Sequence, residues 1–368
     1  MTIPFLDLRA GYLELRADID EACARVLSSG RYLLGAELDR FEAEFADYCG
    51  AENCVAVGSG CDALELTLRA LDIGRGHEVI VPSHTFIASW LAVSATGAVP
   101  VPVEPDEDTF ALDPHRVEAA ITPRTKAIMP VHLYGHPADL DPIVELGAAH
   151  GIPIVEDAAQ AHGSRYRGER IGGGAFAAAF SFYPGKNLGA LGDGGAVVTA
   201  DSDLADRIRL LRNYGSRRKY QHEIKATNSR LDELQAAILR VKLPYLDAWN
   251  ARRAALARHY LAELAHVPGL TLPKVAPWAD HAWHLFVVRC ARRSELQRAL
   301  TDAGIGTLIH YPVAVHRSSA YVSSSWPLGS FPLAEQLADE VLSLPMWPQL
   351  SIADADAVIA AVRSALEA

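Results

Sequence analysis

Three short segments concentrate the residues able to do chemistry, and each follows an apolar run. The first is Gly58-Ser59-Gly60-Cys61-Asp62-Ala63. Glycines let a backbone approach an anion, and the amides opening a helix point at it. The segment equally suits a tight strand–helix turn. Formally it also matches the dinucleotide pattern G-x-G-x-x-A. That version needs an acid after the second strand, and the nearby candidate, Glu78, precedes it. The second segment is Ile154-Val155-Glu156-Asp157-Ala158-Ala159-Gln160. It places Asp157 at the carboxyl end of a strand, either capping a turn or facing a buried cation. Glu156, one position earlier, points to the opposite face. The third is Ser181-Phe182-Tyr183-Pro184-Gly185-Lys186-Asn187-Leu188-Gly189. Only six of the 34 basic residues are lysines, and this one is set among glycines and apolar residues. Desolvation there lowers the amine's pKa and frees it to form a Schiff base.

Taken together, a phosphate-cradling turn, a strand-end carboxylate and a strand-end lysine are the parts of a pyridoxal 5′-phosphate site. The turn holds the phosphate, Asp157 pairs with the pyridine nitrogen, and Lys186 bonds the aldehyde and shuttles a proton. Phe86, in Pro82-Ser83-His84-Thr85-Phe86, is placed either to stack on the ring or to fill core. A zinc site at His132 and His136 is disfavoured, because Gly135 and Pro137 oppose the helix their spacing would need.

The elements that must hold these residues alternate. Strands are expected at 54–57, 78–81, 99–103, 126–133, 152–156, 177–182 and 195–199. Helices are expected over 64–71, 86–95, 113–121 and 140–150, with Asp113 and Pro114 opening the third and Gly151 closing the fourth. Such alternation predicts an α/β fold with a mostly parallel sheet sandwiched by helices. Beyond residue 200 come helices at 203–213 and 231–259, the latter broken by Pro244. A strand at 285–289 and helices at 295–303, 334–342 and 353–366 follow. This tail reads as a smaller C-terminal α/β domain, with a loop-rich stretch over 311–332. The expected division is a large domain at 1–245 and a small one at 246–368, with the first 30 residues packing on the latter.

Composition excludes several classes. The 368 residues carry a net charge of −11, which argues against nucleic acid as partner. Half are hydrophobic and mean hydropathy is +0.07, against disorder. No apolar run spans a membrane. The acidic first 20 residues are no signal peptide. Five cysteines without a C-x-x-C pair point to a reducing cytoplasm.

The order GSGCDAL, PSHTF, EDAAQAHG, SFYPGKNLGALGDGG, NSRLDELQAA and HYP resembles the DegT/DnrJ/EryC1/StrS sugar aminotransferases, from Phe5 to about Pro345. The resemblance implies a fold-type-I pyridoxal phosphate enzyme, homodimeric with shared active sites. It makes Lys186 the Schiff-base lysine and Asp157 the pyridine-nitrogen partner, with Gln160 on the phenolic oxygen and Phe86 on the ring. Ser181 and the backbone of Gly60, Cys61 and Asp62 would hold the phosphate. Asn228 would reach it from the neighbouring subunit. Tyr183, His310 and Tyr311 match positions near the sugar. Arg217, Lys219, Tyr220 and His222 lie in a stretch that meets the substrate's sugar or diphosphate. Two positions depart from the family: Cys61 replaces a threonine, and Ala226-Thr227 replace a glycine–aromatic pair.

The implied reaction moves an amino group, with L-glutamate as donor, to a nucleotide-linked ketosugar in deoxyaminosugar biosynthesis. The lysine segment and Phe5-Leu6-Asp7-Leu8 resemble the branch acting on a thymidine diphosphate-linked 3-keto-6-deoxyhexose. The alternatives are a 4-ketosugar aminotransferase, a pyridoxamine-dependent sugar dehydratase (which would carry His at the lysine position), a nicotinamide dehydrogenase and a non-catalytic regulator.

Overall fold

The computed structural model describes residues 2–322 and 326–367. The loop-rich stretch expected at 311–332 lies partly outside them. In chain order the elements begin with α1 (Leu8–Glu14), α2 (Arg16–Ser29), α3 (Ala36–Cys49), β1 (Asn53–Val57), α4 (Gly60–Ala70), β2 (Glu78–Pro82), α5 (Ala88–Ala95), β3 (Val99–Val103), α6 (Pro114–Ala120), β4 (Thr125–Ile128) and α7 (Leu140–His150). Next are β5 (Val155–Asp157), the short strands β6 (Arg165–Tyr166) and β7 (Glu169–Arg170), β8 (Ala177–Ser181), β9 (Gly195–Thr199), α8 (Ser202–Leu211), α9 (Glu233–Lys242) and α10 (Leu246–Leu264). The chain ends with β10 (Ala279–Asp280), β11 (Phe286–Arg289), α11 (Arg293–Asp302), α12 (Pro332–Glu340), β12 (Val341–Leu344) and α13 (Ile352–Glu367).

The main sheet runs β1-β9-β8-β5 on one side and β4-β2-β3 on the other. Parallel bridges at Ile128–Ile154 and Val131–Asp157 join the halves. β9 runs against its neighbours β1 and β8, while β5–β8, β2–β3 and β2–β4 are parallel. A parallel sheet must be covered on both faces, and the strands show it residue by residue. Val55, Val57, Ala177, Ala179 and Val197 enter a core cluster with α4 and α8. Their alternates Cys54, Ala56, Ala178, Phe180, Ala196 and Val198 enter another with α3 and α9. The period-2 geometry of a strand thus builds two cores from one apolar run.

The C-terminal elements have a core of their own. β11 pairs antiparallel with β12, and Leu256, Tyr260, Phe286, Val288, Leu300, Leu342, Val358 and Val362 pack with Ile3. The N-terminal strap is split: Ile3 bridges Ile305, whereas Ala22 and Val26 of α2 pack on Ala237 of α9.

Several expected boundaries move, two of them with a change of element. The strand expected over 126–133 ends at Ile128 and gives way to a 3-10 turn over Leu133–Gly135. The helix expected over 334–342 stops at Glu340, and Val341–Leu344 forms β12. Val-Leu-Ser-Leu suits either period, so pairing with β11 decides. The three helices before β1 were not anticipated, and Pro244 breaks the long helix at a 3-10 turn, as expected.

Gly35 provides no side-chain cap to α3. Instead the buried Glu233 carboxylate accepts from the amides of Gly35 (2.7 Å), Glu37 (3.0 Å) and Leu38 (3.1 Å). This residue of the NSRLDELQAA segment therefore ties α9 to α3, whose Phe41 and Phe45 pack edge-on against Phe182, four residues before the lysine. Replacement Glu233→Ala strands three amides, and bonds to a charged group are worth about 1.5–3 kcal/mol. Urea unfolding of the cofactor-free chain should show a loss of about 2–3 kcal/mol. A change below about 0.5 kcal/mol, typical of a surface substitution, would refute this role.

Candidate active site

At the carboxyl edge of the sheet lies a cavity of about 650 Å³, lined from three parts of the chain. Phe5 and Leu6 come from the N-terminal strap. Gly60, Cys61, Phe86, Asp157, Gln160, Ser181, Tyr183 and Lys186 come from the sheet edge. His284, Leu308, His310 and Tyr311 come from the C-terminal part.

Asp157 ends β5 on the face of Val155, and its neighbour Glu156 turns the other way, as the pleat requires. Glu156 is paired with His132 Nε2 at 2.9 Å. Asp157 is buried. Its Oδ2 accepts from Ser89 Oγ (2.7 Å), and its Oδ1 accepts from the Ala159 amide (3.1 Å). Burial raises its pKa above the ordinary carboxylate value, against those two bonds and the Lys186 charge. Burial likewise pushes Lys186 down to about 8, opposed by the Asp157 charge. Desolvation outweighs attraction at both groups. A carboxylate and an amine facing one cavity, each penalised for its charge, suit a ligand that brings a cationic nitrogen to one and an electrophilic carbon to the other.

The phosphate end is built by steric closeness. The Ser59 hydroxyl accepts from the Asp62 amide (3.1 Å) and caps α4. Gly60 and Cys61 open that helix and line the cavity. A Cβ on Gly60 would meet the Ser181 Cβ at 2.6 Å, and one on Gly195 would meet the Ser59 carbonyl oxygen at 2.3 Å. Two glycines thus let the helix start sit directly on β8 and β9, beside the Ser181 hydroxyl. Asp62 does not join this cradle: its amide is taken by Ser59, and its carboxylate accepts from Ser229 Oγ at 2.7 Å. Burial pushes the Cys61 thiol up to about 11, so it is a neutral lining group.

Gln160 is held at both ends of its amide. Its Oε1 accepts from the Tyr134 amide (2.6 Å), and its Nε2 donates to the Tyr311 hydroxyl (3.0 Å). Phe86 is half exposed into the cavity, its ring centroid 5.2 Å from that of Tyr311. The His310 Nδ1 contacts Ser343 Oγ at 2.8 Å, and burial lowers this imidazole to about 4.

The remaining expected site residues lie elsewhere. Arg217, Lys219, Tyr220, His222 and Asn228 are all exposed and do not line the chain's own cavity. Arg217 pairs with Asp206 (2.6 Å) and Glu223 (3.4 Å). His222 bonds the Tyr214 carbonyl, and Lys219 stands over the Tyr220 ring. His132 and His136 are internal hydrogen-bond groups: the second contacts the Pro137 carbonyl through Nδ1 and accepts from the Ala276 amide through Nε2.

Sequence reasoning missed Ser89, which orients Asp157 and also contacts Thr85 Oγ1 at 2.9 Å. Its position three residues after Phe86, at a helix start, was the available signal. Missed too was Lys242, buried and pushed to about 8 by desolvation. It donates to the Gly189 carbonyl at 2.6 Å and so braces the lysine loop from behind.

The residues fit pyridoxal 5′-phosphate. Lys186 would hold its aldehyde carbon and Asp157 its pyridine nitrogen. Gln160 would meet its phenolic oxygen, Phe86 a ring face, and Ser181 with the Gly60 and Cys61 amides its phosphate.

Comparison with known proteins agrees. The chain is 67% identical over 364 residues to the erythromycin biosynthesis sensory transduction protein EryC1 of Saccharopolyspora erythraea, covering 99% of this chain and 100% of the relative. It is 65% identical over 361 residues to dTDP-3-amino-3,4,6-trideoxy-alpha-D-glucose transaminase of Streptomyces venezuelae, covering 98% and 95%. A crystal structure of S. venezuelae DesV in complex with a ketimine intermediate superposes with a TM-score of 0.99 at 64% identity, covering 100% of this chain and 99% of that one. The sequence model of the DegT/DnrJ/EryC1/StrS aminotransferase family matches residues 14–363, and the chain belongs to that family.

Proposed function

We propose that this chain is a pyridoxal phosphate-dependent transaminase that aminates C3 of a dTDP-linked 3-keto-6-deoxyhexose in the deoxysugar branch of antibiotic biosynthesis. The observation that carries the reading is the oppositely charged pair of buried Asp157 and half-buried Lys186, facing one cavity beside a helix-start cradle. The similarity to a transaminase of a 3-amino sugar supports the position on the ring. A purely sensory role, suggested by one relative's name, gives no reason to set that pair on one cavity, and a dehydratase would carry histidine in place of Lys186.

Bound there, the cofactor supplies an electron sink that stabilises negative charge on the carbon being protonated or deprotonated. The chain's residues do the rest. Ser89 and the Ala159 amide fix the Asp157 carboxylate, which stabilises positive charge at the pyridine nitrogen. Lys186, with its pKa near 8, is poised to accept and return a proton at neutral pH, where matched pKa values serve best. Gln160 and Tyr311 would orient the phenolic side, and Phe5, Leu6 and Leu308 give the cavity apolar walls.

The same reading extends to the assembly. The 214–228 segment is exposed and rich in cations, and we place it, with Asn228, against the cavity of a second copy in a homodimer. The amino donor is taken to be L-glutamate and the setting cytoplasmic. Among the described residues no helix is long and apolar enough to cross a membrane. The large (1–245) and small (246–368) domains would then both meet the sugar, since residues of each line the cavity.

The direct test is turnover of dTDP-linked 3-keto and 4-keto sugars with L-glutamate, with products identified by NMR. The 3-keto sugar should give the higher kcat/KM, because a reacting carbon misplaced by about 1 Å costs about 10² in rate. A preference for the 4-keto sugar would overturn the regiochemistry, and no amination of either would overturn the reading. Lys186→Ala should lower turnover by at least about 10²–10⁴, the usual weight of general acid–base catalysis. Borohydride trapping of the wild type should label Lys186 and not Lys242, and a label elsewhere would remove the assignment. The pH dependence follows from burial. Because Lys186 lies near 8 instead of 10.5, its amine loses its proton as pH rises through about 8. In the cofactor-free chain, its trinitrophenylation, read by peptide mapping, should therefore rise with a midpoint near 8. A midpoint near that of an exposed lysine would contradict it.

A further inference from the structure

Tyr134 is not among the residues lining the cavity, yet it makes contact with three segments that do. It is buried, and its backbone lies in the left-handed region at φ 61°, ψ 2°. A bulky residue there is strained, and such outliers cluster at functional sites. Its amide donates to Gln160 Oε1 at 2.6 Å, and its hydroxyl donates to the His310 carbonyl. Its carbonyl accepts from the Leu285 amide at 3.2 Å. The His84 Nε2 sits 2.9 Å from the same hydroxyl. Burial lowers His84 to about 4 and raises Tyr134 well above an ordinary phenol, so a neutral imidazole meets a protonated hydroxyl. Because that hydroxyl gives its proton to His310, the His84 Nε2–H must donate to it.

These bonds close a ring. From the Tyr134 amide it passes through Gln160 to the Tyr311 hydroxyl, along the Tyr311 backbone to the His310 carbonyl, and back to the Tyr134 hydroxyl. Three of its members line the cavity, Gln160 on the sheet side and His310 and Tyr311 on the C-terminal side. His84 adds the segment carrying Phe86, whose ring meets that of Tyr311.

We infer that Tyr134 is a positioning residue that registers the ketosugar-facing segment His310–Tyr311 against the cofactor-facing Gln160. This inference rests on the transaminase reading above. Its two bonds have separable duties. The amide, kept in any variant, holds Gln160. The hydroxyl holds the 310–311 backbone.

Tyr134→Phe removes only the second. Single-turnover rates are normalised per bound cofactor, so that a smaller folded fraction does not enter. The half-reaction with ketosugar should slow about 10- to 100-fold, the weight of a lost buried hydrogen bond that leaves the His310 carbonyl and His84 without it. The half-reaction with L-glutamate and the absorbance maximum of the bound cofactor should change little, by less than about 2-fold in rate. A second readout needs no cofactor: amide hydrogen exchange of the cofactor-free variant should quicken at 308–313 and stay unchanged at 155–161, since opening free energies are local. In a Tyr311→Phe background, adding Tyr134→Phe should cost much less than it does alone, as coupled neighbours do. Equal slowing of both half-reactions, unchanged exchange at 308–313, or full additivity would overturn the role. A wild-type chain that transaminates no ketosugar would overturn the transaminase reading and this inference with it. A wild type that does so, with a Tyr134→Phe variant showing no selective loss, would overturn the inference alone.

Discussion

The structure is organised around the cost of keeping two opposite charges out of water on either side of one cavity. Asp157 is buried and Lys186 half-buried, and for each the loss of solvation outweighs the attraction of the other. Left to itself, such an arrangement weakens the fold. It persists because other groups constrain it. Ser89 and the Ala159 amide hold the carboxylate. Lys242, itself buried, braces the loop that carries Lys186. The stabilisation withheld from folding is then available to a cofactor that presents complementary groups, which is how binding energy and preorganisation are set aside for catalysis.

The sheet decides where this cost falls. Parallel strands end together at one edge, and loops from several of them converge there. β1 delivers the Gly60 helix start, β5 delivers Asp157, and β8 delivers Ser181 and the lysine loop. Glycines at 60 and 195 let the helix start, the end of β8 and the start of β9 touch without side chains between them. The antiparallel β9, inserted between β1 and β8, brings Gly195 under the cradle. The C-terminal part contributes the remaining wall, and the Tyr134 ring of hydrogen bonds joins that wall to the sheet.

Much of this is legible in the amino-acid order. The boundaries of β3, β9, α6 and α7 follow from apolar runs, a proline-opened helix and a glycine close, because those signals act within a few residues. Lys186, Asp157, Gln160, Ser181 and Phe86 all line the cavity anticipated for them, since strand-end position and residue type suffice to place a group at the edge of a parallel sheet. Less legible was anything set by partners distant in sequence. Val341–Leu344 reads as well for helix as for strand until β11 supplies its pairing partner. Among the helices before β1, α3 does carry a helical period in Leu38, Phe41, Phe45 and Cys49, a signal present in the order alone.

What the amino-acid order determined alone is therefore the chemistry: which residues bear charge, which must be buried, and which turn can meet an anion. Tertiary structure decided how those groups are held. Ser89 is 68 residues from Asp157, and Tyr134 is 176 from His310. No local pattern encodes such pairs, because a hydroxyl's partner depends on which surfaces pack together. The same holds for Asp62, whose place in a phosphate-binding turn was plain but whose amide went to Ser59 and whose carboxylate went to Ser229. Short-range sterics and periodicity are written in the sequence, whereas hydrogen-bond partners are fixed only after the cores have chosen their neighbours.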